Sequence, residues 1–454
     1  MDDGFSGIVR ISNVSDFIAP SQACILPLRK GEPVKNESLV NIRGKAAASS
    51  VENKDETSKK KVIVSLNDCL ACNGCITSAE TILIREQSTP KLLEGFAVCS
   101  LRIVTVSPQS VCSIAVKHHL SVELTARRIA RRLKRLGATY VLDSSFARYL
   151  TLALSYDEFM QRRHQQPILT SSCPGFVCYA EKTNGDLLVP HISRVRSPQA
   201  IMGALVKDYL ARLTSTTPEQ IFHATVMPCF DKKLEASRPE FATKCREVDC
   251  VLSTAELDEL LDEAEIDEEN GLDADCEITW LNAFDKGIVI GTPGGSSGGY
   301  AEYIVQRFIS DSKTRQLSIR RTQRMNNLSA VEVLDGEEVC LRVAKCYGFR
   351  NIQNLVQKMK RGKTEYDYIE VMACPSGCAN GGGQIRAEKA DSRQKLLESV
   401  IKAYDLLAPN DILEHNIERI KADWASLNSH FADLCYTDYR IVDRNIIEKM
   451  NLRW

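Results

Sequence analysis

Cysteine placement is where chemistry first shows in this chain. The stretch LNDCLACNGCI sets Cys69, Cys72 and Cys75 at two-residue intervals, a spacing that lets three thiolates converge on one small inorganic centre. A second set is scattered: Cys173 in TSSCPGF, Cys229 in MPCFDKKLE, and Cys374 with Cys378 in EVMACPSGCANGGGQ. Each of these motifs follows an apolar, strand-like run or marks a strand-to-turn junction. In α/β sheets the carboxyl ends of strands line the ligand crevice, so these four cysteines are expected to meet between two lobes. Pro174 and Pro375 each suit the first position of a helix, which leaves backbone N–H groups aimed at an anionic thiolate cluster. Gly381, Gly382 and Gly383 are expected to remove side chains where backbone approaches the inorganic core. Four unrelated buried cysteines are the bland alternative, and three similarly flanked motifs weigh against it.

The C-x₂-C-x₂-C run matches three of the four ligand positions of a bacterial ferredoxin run, but the C-x₃-C-P continuation is missing. A fourth ligand must come from elsewhere in the chain. Cys24 is the nearest candidate, since closing a flexible loop costs only slowly more as the loop grows. The alternative is a zinc site, although zinc sites more often pair two C-x₂-C knuckles. The other cysteines, Cys99, Cys112, Cys178, Cys245, Cys250, Cys276, Cys340, Cys346 and Cys435, lack motif context and read as small buried hydrophobes. No histidine is assigned as a ligand.

The elements that must position these residues can be read from the pattern. With 454 residues the chain has room for two or three domains. Lys+Arg 58 against Asp+Glu 59 excludes a global electrostatic case for nucleic acid. Seventeen cysteines point to metal or thiol chemistry in a reducing compartment. Acids stand among the first residues where a signal peptide needs a basic region, and no run reaches the roughly 18 apolar residues of a membrane span. The expected location is therefore the cytoplasm, with the nucleus as an extension. Residues 29–61 are polar, lysine-rich and poor in aromatics, and are expected to form a flexible insertion. Beyond them, LTARRIARRLKRLG reads as a helix with Ile129, Leu133 and Leu136 on one face and Gly137 as its stop, followed by the strand TYVLD. ILTSSC, FHATVMPC and VDCVLS read as further strands alternating with helices. The acidic run 256–269 reads as a solvated helix face that buries Leu257, Leu260 and Leu261.

The three scattered motifs resemble the signature loops of iron-only ([FeFe]) hydrogenases, written TSCCPGW, MPCxxKxxE and ExMACPGGCxxGGGQ. Lys232 and Glu235 match the second of these, and GTPGGSSGGYAEY (291–303) adds to the similarity. The resemblance implies an α/β fold, a two-lobed iron-only-hydrogenase-like core of parallel sheets with covering helices, beside a small N-terminal iron–sulfur region. It also implies that Cys173, Cys229, Cys374 and Cys378 hold a [4Fe–4S] cubane. The expected division is 1–110 for the N-terminal region, 111–280 and 281–430 for the lobes, and 431–454 for a C-terminal segment.

Two departures bear on activity. Ser172 stands where that family has a second cysteine, and its hydroxyl is a far weaker acid than a thiol near ~8.5. Leu154 and Ser155 stand where the family has an acidic pair. A chain that keeps cubane ligands but loses these proton-relay residues is similar to the eukaryotic hydrogenase-like proteins related to the prelamin-binding protein Narf. Within them it resembles the Narf-like branch of the cytosolic iron–sulfur protein assembly (CIA) machinery. That resemblance implies two [4Fe–4S] clusters, the second on Cys24, Cys69, Cys72 and Cys75, and no hydrogenase activity. It further implies action between an early iron–sulfur scaffold and the late CIA targeting complex, with its WD-repeat adaptor and associated subunits. The terminal Leu452-Arg453-Trp454 resembles the peptide that clients and adaptors present to that complex. An active hydrogenase and a Narf-type nuclear lamin-binding protein are the alternative readings.

Overall fold

The computed structural model describes residues 78–165, 167–242, 245–261, 284–312, 316–387, 390–409 and 411–442. Cys24, Cys69, Cys72, Cys75, Cys276, the 29–61 segment and Trp454 lie outside the described residues.

The chain enters through α1 (Ser78–Glu86) and α2 (Thr89–Val98) and forms its first sheet from β1 (Leu101–Val106), β2 (Tyr140–Asp143), β4 (Ile221–Met227) and β5 (Cys250–Ser253). All are parallel, in the order β2-β1-β4-β5. Period-2 alternation sends Leu101 and Ile103 to one face and Val104 and Val106 to the other, and both faces are covered by apolar clusters. The helices are α3 (Pro108–Lys117), α4 (Val122–Arg135), α5 (Ser145–Gln161), α6 (Pro174–Thr183) and α7 (Pro198–Ala204), which continues as a π-helical stretch at Leu205–Leu210. After them come α8 (Asp231–Ala236), α9 (Thr254–Leu260), α10 (Tyr300–Asp311), α11 (Phe349–Lys360), α12 (Ala390–Asp405) and α13 (Asp411–Leu427).

The sequence-based α4 is present, with Ile129 and Leu133 buried and Gly137 at φ +114 just past its end. Of the acidic run, only its first turns are described, as α9, with Leu257 fully buried and Leu260 and Leu261 packed at the edge of the core.

The second sheet orders β3 (Ile168–Thr170), β9 (Tyr368–Met372), β8 (Glu338–Tyr347), β7 (Leu328–Asp335) and β6 (Leu317–Met325). Its inner part, β3-β9-β8, is parallel, as expected from sequence. The outer β8-β7-β6 part is an antiparallel ribbon. Its turns fall at Asn327 and Gly336, both in the left-handed region that such tight turns require.

Sheet membership does not follow the linear division at 110 and 280. Leu101–Val106, inside 1–110, is a central strand of the first sheet, while Ile168–Thr170, inside 111–280, pairs in the second. Helix α13, inside 281–430, packs on the first sheet's core through Ile417, Ile420 and Trp424. Its Trp424 is fully buried and donates from Nε1 to Asp208 Oδ2 at 2.7 Å. Trp424→Ala is expected to cost about 3–5 kcal/mol of stability, measured by denaturant unfolding, because the emptied site is ringed by fixed helices.

Helix α5 is the wall shared by the two lobes. Phe146, Leu150 and Leu154 enter the first core, and Leu152, Tyr156 and Phe159 enter the second. A helix buried all round is apolar all round, and the one buried arginine in α5, Arg148, is an exception treated below. Among the described residues no helix is long and apolar enough to cross a membrane.

Candidate metal centre

Three strand ends deliver the four cysteines. Cys173 follows β3 and is the N-cap residue of α6, with Pro174 at its first position, as the sequence suggests. Ser171 fixes this turn by donating to Val371 O at 2.6 Å and accepting from Cys173 N at 3.1 Å. Cys229 follows β4, two residues before α8. Cys374 follows β9, and Cys378 lies in the 3-10 turn Gly377–Asn380. Pro375 does not open a helix, contrary to expectation. Ser376 and Gly377, at φ +61 and +77, bend the chain back so that Gly377 N donates to Cys374 O at 3.1 Å. A Cβ at Gly377 would stand 1.9 Å from Ser297 Oγ.

In the glycine run, Gly381 and Gly383 each lie against the backbone of another loop. A Cβ on Gly381 would sit 2.2 Å from Pro228 O, and one on Gly383 would sit 3.2 Å from Cys229 Cα. Gly383 N also donates to Pro228 O at 3.0 Å. The glycines thus bring the Cys378 loop against the backbone of the Cys229 loop, so they position ligand-bearing loops against each other. The reason is steric: two backbones in van der Waals contact leave no room for a methyl group.

The four thiols share one electrostatic neighbourhood. Cys229 feels Cys173, Cys374 and Cys378, and Cys374 feels Cys173 and Cys378. Burial pushes the Cys173 thiol up to about 12 and raises Cys229 and Cys374 well above the ordinary thiol range. Burial also raises Cys378, against the opposing charges of Arg148 and Lys232 and a Ser297 hydrogen bond. Thiols in this state give up protons only to a strongly bound cation. Cys173 is buried, whereas the other three keep some accessible area.

Among the described residues, no group of three or more His, Cys, Asp or Glu is drawn tightly enough to chelate a single ion. A cubane asks for something else, one thiolate at each of four separated irons. The donor set of four thiols, spread around a shared space, fits that group.

Asp231 and Arg148 stand near the thiols, and neither is among the sequence-based site residues. Asp231 is 3 % exposed, its Oδ1 has no hydrogen-bond partner, and it is an electrostatic neighbour of Cys173, Cys229 and Cys374. Burial, opposed by the charge of Lys232, pushes its carboxyl well above the usual carboxylate range. Lys232 donates to Glu235 Oε2 at 2.8 Å and to Ser197 Oγ at 3.0 Å, so its charge is already partnered. Ser297 Oγ accepts from Cys378 N at 3.1 Å. A lone charge inside the apolar run SFARYLTLAL was the available signal for Arg148. Nothing in the sequence marked Asp231.

The residues that depart from the hydrogenase pattern make ordinary structural contacts. Leu154 packs in the first core, Ser155 Oγ donates to its own helix at Thr151 O (2.7 Å), and Ser172 Oγ lies 4.0 Å from Met372 Sδ. Gly299, at φ +71, opens α10, where a Cβ would stand 2.1 Å from Pro293 O, so the backbone comes close at this helix start. Of the cysteines without motif context, Cys112, Cys178, Cys250, Cys346 and Cys435 are buried, but Cys99, Cys245 and Cys340 are only half-buried, because they sit at element ends and on the outer ribbon.

Comparison with known proteins agrees with this geometry. The family model described as "Iron only hydrogenase large subunit, C-terminal domain" matches residues 101–382, a range that holds all four strand-end cysteines. A probable cytosolic Fe–S cluster assembly factor of Brugia malayi is 55% identical, over 100% of this chain and 99% of its own length. One from Caenorhabditis elegans is 50% identical over 100% of both. Cytosolic iron-sulfur assembly component 3 of Rattus norvegicus is 41% identical over 100% of both. Among solved structures, the [FeFe]-hydrogenase HydA(deltaEFG) aligns with TM-score 0.61 and 25% identity, covering 78% of this chain and 98% of that one. HydA1 from Chlamydomonas reinhardtii gives the same TM-score at 24% identity, a likeness of fold. The chain therefore belongs to the iron-only-hydrogenase-like family, in the Narf-like branch whose members are named as cytosolic Fe–S cluster assembly factors.

Proposed function

We propose that this chain is a non-catalytic iron–sulfur protein of cytosolic iron–sulfur protein maturation. Cys173, Cys229, Cys374 and Cys378 hold one [4Fe–4S] cluster between the lobes, and Cys24, Cys69, Cys72 and Cys75 hold a second. The observation that carries this reading is the convergence of four thiols from three strand ends, in a chain whose full-length relatives are named as assembly factors. When bound, a cubane supplies one-electron redox capacity and a rigid cross-link between loops. The chain's own residues hold and orient it: Ser171 sets the Cys173 turn, Ser297 the Cys378 turn, and Gly381 and Gly383 the contact between the Cys229 and Cys378 loops.

The interlobe cluster is the structural one. The N-terminal cluster takes any transfer role, because the interlobe cluster is built into the fold. The protein acts between the early scaffold and the CIA targeting complex, meeting the latter's WD-repeat adaptor through a surface that includes Trp454. It works in the cytosol and extends to the nucleus. Loss of the relay chemistry at Ser172 and Leu154 accounts for the absence of hydrogen turnover.

Depleting the protein from cells tests the assignment. Radiolabelled iron incorporation into cytosolic iron–sulfur enzymes is expected to fall while incorporation into mitochondrial ones holds, and wild type but not Cys374→Ala is expected to restore it. Undiminished cytosolic incorporation would contradict the proposal.

A further inference from the structure

Arg148 is 6 % exposed, and its guanidinium Nε is enclosed with no hydrogen-bond partner among the described residues. A buried cation left in this state costs several kcal/mol unless an anion offsets it. The fold makes room for the group deliberately. Gly298, at φ +123, has no side chain where a Cβ would stand 3.1 Å from an Arg148 terminal nitrogen. The next residue back, Ser297, accepts the Cys378 N–H. Arg148 is also the strongest favourable charge felt at Cys378, ahead of Lys232, whose ammonium is already committed to Glu235 and Ser197.

Asp231 neighbours Cys173, Cys229 and Cys374 but is not among the charges felt at Cys378. The four-thiol site is therefore polarised, with a fixed positive charge at one corner and an acid at the others.

We propose that Arg148 is the fixed counter-charge of the Cys378 corner of the cluster and that it sets the cluster's reduction potential. The inference rests on the reading of these four cysteines as cluster ligands. Its logic is electrostatic: a thiolate-ligated cubane is anionic, one-electron reduction adds a further negative charge, and a desolvated guanidinium nearby favours the reduced form. Arginine suits the role because it stays charged when buried.

The test is an anaerobic dithionite titration of the full-length protein followed by electron paramagnetic resonance, with the interlobe signal assigned by its loss in Cys378→Ser. Arg148→Met, which keeps length and removes charge, is expected to move the midpoint of that signal to more negative potential. The N-terminal cluster's midpoint should stay in place, and Arg148→Lys should remain near wild type. An unmoved midpoint in an iron-replete Arg148→Met protein would overturn the inference alone. If Arg148→Met fails to retain the cluster, Arg148→Lys decides: retention supports the counter-charge, and loss assigns Arg148 a role in shape instead. A wild-type chain without the signal would overturn the ligand assignment and the inference with it.

Discussion

Cys374→Ala is expected to lose about half of the bound iron and to fall sharply in soluble yield. Cys374 joins the end of β9 to the loop carrying Cys378, and a cluster held by these cysteines and Cys229 would tie the second sheet to the end of β4 in the first. Metal-binding energy at such a site is folding energy. Without it, the loops that carry the four buried thiols lose what bridges them. Cys72→Ala should behave differently. It is expected to lose a similar share of iron yet keep the thermal midpoint of the lobes, since Cys72 precedes every element that forms the three main apolar clusters. Iron analysis with a thermal melt on both variants separates the two sites, and equal collapse of both proteins would remove the distinction between a structural and a labile cluster.

Gly381→Ala tests the positioning of the ligands without touching one. The added methyl group would lie 2.2 Å from Pro228 O and 2.9 Å from Pro228 C, both backbone atoms of the Cys229 loop. Backbone cannot swing aside as a flexible side chain does, so the two loops must separate. A destabilisation of about 3 kcal/mol is expected, together with iron content below wild type. Gly336→Asn is the control. Gly336 has a positive φ of +63 but nothing within 4 Å of the new Cβ, and asparagine tolerates that conformation. A Gly381→Ala protein with wild-type stability and iron would show that the close approach is not needed.

Much of the site was legible because its chemistry demands particular residue types at particular places. Cysteine after a strand, with proline next, reads as the start of a helix, and Cys173 at the N-cap of α6 with Pro174 next is that arrangement. The period-3.6 pattern of α4 and its glycine stop are local properties, and they appear where expected.

What escaped depends on contacts distant in sequence. The glycine run of 381–383 reads as a place of close approach, but which backbone approaches is fixed by pairing with Pro228 and Cys229, about 150 residues away. Pro375 looks like Pro174 in sequence, yet the left-handed Ser376 and Gly377 turn the chain before a helix can start. The antiparallel ribbon had local signals in Asn326-Asn327 and Asp335-Gly336. They carry no chemistry, and a reading led by the cysteines passed over them. Asp231 stayed hidden because an acid beside two lysines in sequence gives no hint that its own carboxyl will be buried without a hydrogen bond.

The most direct measurement is the content of iron, acid-labile sulfide and zinc per chain after purification without oxygen, on wild type and on Cys229→Ser. Two cubanes require roughly eight irons with equal sulfide in the wild type, and about half of each in the variant. Zinc in place of iron, or an iron content that Cys229→Ser leaves unchanged, would contradict the assignment of the strand-end cysteines as cluster ligands.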